Sequence, residues 1–388
     1  MGKQKTKLGA RILSMEELNA ILPNAESVYE QIEVFRNNIS SERSTQDVEQ
    51  HEMEQKTNNI GIIGCRGAGK TSILKTFYHK LKSEVRREQE AGEHKENGDI
   101  ILPIIIPESL SAGMMLMDAV LGRLKSVIEE RERAREKNKY QGDCIYSGYD
   151  SLAKQYNELV KQYCYIKKDY RDILIQEFTT EQNYVDKTKK VFSSDAEFIR
   201  LFHQFVDSLL QDEQNSEKNP MLFLFIDDVD LSADRCTDIV RTLLVYLSHP
   251  RIVTFISGDM ETFEEELTLE FLRQEGALSA DVFQATYCDA EDEPAKNSLL
   301  ERKKTLAYEY LKKIIPPAYR RTIRYWALEE RGNYRIEADR GNASKNLAEL
   351  LMEVTKDRLD DLYFVYKEDG GRNVWGLLFI CLTRQPVG

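Results

Sequence analysis

At 388 residues, with 41% apolar and 31% charged side chains, the chain is long enough for two or three domains, or for one large α/β domain with a lid. A formal net charge of −12 argues against a protein that coats nucleic acid by bulk charge. No run of about 18 apolar residues is present to cross a membrane, so no membrane partner is expected.

The first residues carry basic charge but no apolar core, unlike a secretory signal. Gly2 and Thr6 fit the short myristoylation pattern M-G-x-x-x-[ST], which an ordinary basic N-terminus also meets by chance. Ser14 and Glu17 have capping-box spacing ahead of an apolar rhythm, which predicts a helix over 14–40. The polar stretch 40–59 reads as a loop, and residues 1–57 as an N-terminal helical and linker segment. The six cysteines, Cys65, Cys144, Cys164, Cys236, Cys288 and Cys381, are scattered without a C-x-x-C pair. They read as reduced thiols of a cytoplasmic protein. Five dispersed histidines give no metal-site spacing.

"IGIIG" reads as a buried strand and "TSILKTFYHKL" as the helix after it. Between them, Gly64-Cys65-Arg66-Gly67-Ala68-Gly69-Lys70-Thr71 fits G-x-x-x-x-G-K-[ST] at every fixed position. Glycines let backbone N–H groups turn inward around an anion without a Cβ in the way. The helix that begins at the loop adds its positive end. The expected nucleotide contacts are Gly64, Arg66, Gly67, Ala68, Gly69, Lys70, Thr71 and Ser72. Lys70 would reach the β- and γ-phosphates, and Thr71 would offer its hydroxyl to Mg²⁺. Expected ligands are therefore ATP and Mg²⁺.

Charged residues 83–99 read as an exposed excursion. "IILPIII" at 100–106 is a second buried strand, made irregular or peripheral by Pro103. Residues 112–139 and much of 150–213 read as helix. There Phe198, Leu201, Phe202, Phe205 and Leu209 keep helical spacing, and Ser194 with Glu197 suggests another capping box. "MLFLFIDD" at 221–228 is a third strand. Asp227 falls at its end, where a parallel sheet presents ligand-binding groups, and is assigned to Mg²⁺. Asp228 sits where related ATPases carry the acid that polarises the attacking water. The competing reading makes Asp228 or Asp230 a cap of the next turn, and Asp230 is taken as such a cap.

A helix over 233–248 buries Val240, Leu243, Leu244 and Leu247. "RIVTFISGD" is a fourth strand, whose polar end at Ser257 could sense hydrolysis, position water or simply turn the chain. Strands separated by helices imply a parallel sheet. "SLLERKKTLAYEYLKKII" is one helix, stopped by Pro316-Pro317. Of the basic runs, "KLKSEVRRE" and "RERAREKNK" read as solvated helix faces. "LKKIIPPAYRRTIR" holds five bases and no acid, and is the stretch that keeps a nucleic-acid surface open.

These strand ends, in this order, resemble the additional-strand division of P-loop NTPases, and more narrowly the AAA+/STAND/KAP group. "FIDDVDLS", "HPRIVTFISGD" and "YEYLKKIIPP" carry that likeness. "ILPIIIPESLSAGMMLMDAVLGRL" is similar to the second-strand region of bacterial defence NTPases, nearest the ATPase component of the RADAR antiphage system. The resemblance implies an α/β parallel-sheet core at 58–290 with a large helical insertion at about 130–218. It also implies a mostly helical lid or second domain at 291–388. It implies a homo-oligomeric ring acting on a protein effector, such as an adenosine deaminase. Arg384, in "LTRQPVG", would be the lid arginine on the γ-phosphate, although the expected lid helix after it is missing, as in the N-terminal part of a longer protein. For a neighbour's arginine finger the candidate is Arg273, then Arg302. An aspartate at 228 rather than glutamate also leaves room for a nucleotide-gated switch with little turnover.

Overall fold

The computed structural model describes residues 10–44, 57–90, 98–139, 149–167, 170, 180–210, 219–231, 235–275, 293–324, 365–367 and 373–375. Its centre is set by strand alternation. β1 (Asn59–Ile63), β2 (Ile100–Ile101), β3 (Leu222–Ile226), β4 (Ile252–Gly258) and β5 (Arg320–Thr322) form one sheet in the order β2-β3-β4-β1-β5. Every pairing is parallel. Both faces are therefore covered, which is why β3 and β4 are buried throughout.

Along β3, Leu222, Leu224 and Ile226 enter one apolar core, while Phe223 and Phe225 enter the other. The second core is closed by α1 (Met15–Ile21), α2 (Ser27–Ser44) and α3 (Lys70–Glu90). Under α3, Phe77 stacks on Phe255, and Phe255 on Phe225, with centroids 5.7 and 4.7 Å apart. The first core is closed by α4 (Leu116–Lys139), α5 (Tyr149–Ile166), α7 (Ser194–Leu209), α8 (Cys236–Arg241), α9 (Met260–Glu275) and α10 (Glu293–Ile314). α6 (Glu181–Phe192) leads directly into α7. At the sheet's far edge the Arg36 guanidinium donates to both oxygens of Asp99 at 3.0 and 2.8 Å, and to Asn219 O at 2.7 Å. That ties α2 to the starts of β2 and β3.

Several expectations change. The capping box at Ser14 forms as read, but the helix predicted over 14–40 is split, because Leu22 turns extended ahead of Pro23. α3 continues to Glu90, so residues 83–90 of the charged stretch read as an excursion are helix. The box at Ser194 does not form. Ser193 already has helical dihedrals, so Ser194 lies inside the helix, where its hydroxyl donates to Val191 O at 2.8 Å. Helix 233–248 is shorter, with a π turn at Thr242–Tyr246. β5 was not foreseen. It lies inside the stretch expected to form a separate lid, yet it pairs with β1. β6 (Val365–Lys367) and β7 (Asn373–Trp375) form an antiparallel pair within the stretch expected to be mixed and mostly helical.

Pro103 acts as anticipated, and β2 is an edge strand. Ile101 pairs with Phe223, but Ile105 pairs with Ile226, so one extra residue bulges out. The two carbonyls this frees are taken by Arg123, which donates to Pro103 O at 2.8 Å and to Ile104 O at 2.9 Å. Replacing Arg123 by Met should therefore lower unfolding stability by about 1–3 kcal/mol in urea titrations. Lys, with one point donor, should recover only part of the loss.

Candidate functional site

Register brings the site together. Ile63 pairs with Gly258, and Ile226 with Ile256. The chain leaving β1, the end of β4 and the residues after β3 thus meet at one edge of the sheet. Gly64 N donates to Gly258 O at 3.2 Å, which fixes the start of the loop.

Gly67 and Gly69 have φ of 79° and 101°, a left-handed region that side chains resist. A Cβ on Gly64 would lie 3.0 Å from Ile323 Cδ1 and 3.4 Å from Ala68 Cβ. The loop ends where α3 begins, at Lys70, and the first turn of α3 holds no acidic residue. Its free backbone donors therefore have no carboxylate of that turn competing for them. Lys70 is 4% exposed, and its Nζ donates to Gly64 O at 2.9 Å and Cys65 O at 3.3 Å. The ammonium curls over the loop and must leave those carbonyls to meet a phosphate. Thr71 is half-buried in the first turn, and Arg66 is exposed at the loop tip. The Ser72 hydroxyl accepts Arg11 N–H at 3.2 Å, which ties the N-terminal segment to the first turn of α3 and leaves its own proton to donate.

Asp227 is 1% exposed, and its Oδ1 accepts the Ser257 hydroxyl. Ser257 Oγ in turn accepts Asp228 N–H at 3.1 Å. Ser257 is therefore the bridge between the two acids. Asp228 stands at φ 54°, a conformation that Asp and Asn tolerate better than most side chains. That is a local reason for aspartate at this position. Burial, then the neighbouring Asp227, raises its carboxyl to about 6, against the pull of Lys70.

Asp230 is not the cap it was read as. It is 3% exposed, and neither carboxylate oxygen has a hydrogen-bond partner among the described residues. Spacing alone gave no sign of this. Sequence reasoning also missed Arg235, which donates to Leu110 O at 2.8 Å and Ser111 O at 2.9 Å. It thereby ties the loop after β2 to the segment after β3.

Arg273 lies in the last turn of α9 beside Glu270, roughly 20 Å along the helix from its start. It is not brought to the loop within this chain. Arg302 is exposed on α10. Arg384, Gly2 and Thr6 lie outside the described residues. In the basic run, Lys312 pairs with Glu309 at 2.9 Å and Lys313 lies over Tyr310. Arg320 donates to Ile315 O and Arg321 to Ala318 O, both at 2.9 Å. Arg320 and Arg321 thus brace the turn between α10 and β5, while Lys312 and Lys313 make their contacts within α10.

The donor set fits a nucleotide and a hard cation. It combines a glycine cradle, a buried lysine, a threonine hydroxyl and a buried carboxylate, with oxygen donors alone offered to the cation. Mg²⁺ takes one or two protein carboxylates and leaves the rest to phosphate and water. Among the described residues no cluster of three or more His, Cys, Asp or Glu could hold a metal by itself. No protein-family model matches the chain, and no curated protein matches it.

A carboxyl raised on folding costs stability when ionised. For Asp228 the cost is full above about 6 and vanishes below its ordinary value of 3.8. Asp228→Asn removes it. The variant should melt higher than wild type at pH 8 in metal-free buffer, and the difference should shrink as pH falls toward 4.

Proposed function

We propose that this chain is a Mg²⁺-dependent, ATP-binding and ATP-hydrolysing P-loop NTPase of the additional-strand type. The observation that carries the reading is the shared sheet edge. The glycine loop after β1, Asp227 after β3 and Ser257 on the strand between them lie together. A strand inserted between those bearing the loop and the acid is what the additional-strand type requires, and the order β3-β4-β1 supplies it.

In this reading the loop amides and the start of α3 bind the phosphates. Lys70 moves from the loop carbonyls to the β- and γ-phosphates. Thr71 and Asp227 would hold Mg²⁺, which would supply positive charge against the phosphates. Asp228 orients the attacking water and accepts its proton, and a carboxyl raised to about 6 remains ionised for that role above neutral pH. Ser257 keeps both acids in place. The likeness to the AAA+/STAND/KAP group extends the proposal to a cytoplasmic ring in antiphage defence, acting on a protein effector such as an adenosine deaminase. Arg273 or Arg302 would be contributed by a neighbouring subunit, and Arg384 by the lid. The nucleotide-gated switch remains the second reading, favoured by the short, backbone-constrained side chain at Asp228.

Steady-state ATP hydrolysis and light scattering on wild type, Lys70→Ala and Asp228→Asn test this. Turnover by an assembled wild type, with loss of at least about a hundredfold in Asp228→Asn and retained binding, is expected. Negligible wild-type turnover, with assembly lost only in Lys70→Ala, would favour the switch.

A further inference from the structure

The segment that follows the candidate acids is bonded to the helical insertion at both of its ends. Arg235 donates to Leu110 O and Ser111 O at 2.8 and 2.9 Å, and also to Met114 O. Asp238 then accepts Leu116 N–H at 2.6 Å. The loop after β2 and the start of α4 are thus stapled to the start of α8. The neighbouring donor, Met115 N–H, goes to Asp118 at 2.8 Å. The other oxygen of Asp118 receives the Lys167 ammonium at 2.7 Å, just past the end of α5. With Asp118 14% and Lys167 33% exposed, this pair is screened less than a surface pair.

At its far end α8 widens into the π turn Thr242–Tyr246. Asp195, in the first turn of α7, takes the Arg241 guanidinium at 2.7 Å and the Tyr246 hydroxyl at 3.4 Å, one at either end of that turn. Ring contacts close the circuit. Tyr163 of α5 lies 5.0 Å from Phe198 of α7, and Phe198 lies 5.2 Å from Tyr246. A helix cap needs only a neighbour in sequence, yet the Leu116 donor of α4 is filled from 122 positions away. A π turn is a short departure from α geometry that is frequent at functional sites. Here both sides of it are held by the insertion.

We propose that the helical insertion regulates hydrolysis by setting where Asp228 stands. Lys167 and Asp238 are the positioning residues. Lys167 ties α5 to α4, Asp238 ties α4 to α8, and α8 continues from the turn that carries Asp228. The inference rests on the hydrolytic reading and adds its regulation. Coupling of this kind needs an element with two arrangements, and the π turn is that element. The glycine loop leaves β1 and takes no part in the circuit, so nucleotide binding is spared. A protein that seats on α5 or α7 and shifts them would change turnover without reaching the phosphates.

The test is steady-state ATP hydrolysis by wild type, Lys167→Met, Asp238→Ala and the double variant. Calorimetric affinity for a non-hydrolysable ATP analogue in Mg²⁺ accompanies it. Each single variant should lose about tenfold in kcat, the scale of effects carried by packed networks, with KM and analogue affinity as in wild type. The double variant should lose no more than either single, because both changes cut one path. Independent lesions would multiply to about a hundredfold. Lys167→Arg keeps the charge and Asp238→Asn keeps an acceptor for Leu116 N–H, so both should recover most of the rate. Should Asp238→Ala fail to fold, Arg241→Met takes its place in the cycle, since it cuts the same circuit at the π turn. Unchanged kcat in Lys167→Met overturns the inference and leaves the nucleotide site standing. So does a multiplied loss in the double variant, or a loss of affinity that matches the loss of rate, because the two residues would then only support the fold. A wild type that binds ATP without turnover overturns the hydrolytic reading and this inference with it.

Discussion

The parallel pairing of β4 with both β1 and β3 is the constraint on which the rest depends. It aligns three strand ends that are far apart in the chain. Gly64 is held by Gly258 through a backbone bond, and Asp227 is held by Ser257 through a side-chain bond. A one-residue slip of β4 would turn Ser257 to the other face. It would also exchange Ile256 and Phe255 of β4 between the two cores. Packing thus enforces the chemistry, because the register that fills both cores also joins the acids to the loop.

The core has strength to spare for this edge. Phe77, Phe255 and Phe225 clamp α3, and with it Lys70 and Thr71, onto the sheet. On the opposite face, Leu124, Leu159, Phe198 and Phe202 of α4, α5 and α7 belong to the same apolar core as Leu222, Leu224 and Ile226 of β3. Against that background the turn 228–230 departs from the ordinary rules twice. It carries a non-glycine residue at positive φ and a buried carboxyl that has no hydrogen-bond partner among the described residues. Local departures of this kind persist where the surrounding structure over-determines them, and they cluster at functional sites.

Arginine has an unusual share in holding the loops. Arg123 closes the bulge made by Pro103, Arg235 holds the loop after β2, and Arg36 clamps Asp99. In each case a planar group with several donors satisfies carbonyls or a carboxylate that no regular ladder reaches. The basic run at 311–324 follows the same logic. In the fold, Arg320 and Arg321 of that run donate to carbonyls of the turn before β5.

The glycine loop, the apolar strands and Asp227 were legible from the residues alone. Their signals are local: a fixed spacing, a run of apolar side chains, an acid at the end of that run. Pro103 as the mark of an irregular edge strand was legible for the same reason. Strand β5 was not, because Arg-Arg-Thr has no apolar alternation and becomes a strand only by pairing with β1. The true state of Ser194 depended on the helix before it, and that of Ser72 on residues about sixty positions earlier. Asp230 looks like any turn aspartate until Gly258, from another strand, closes over it. Sequence by itself determined which groups were available and on which elements they ride. Tertiary structure decided which of them are buried, bridged or left without a partner, because those properties belong to neighbours that only the folded sheet brings near.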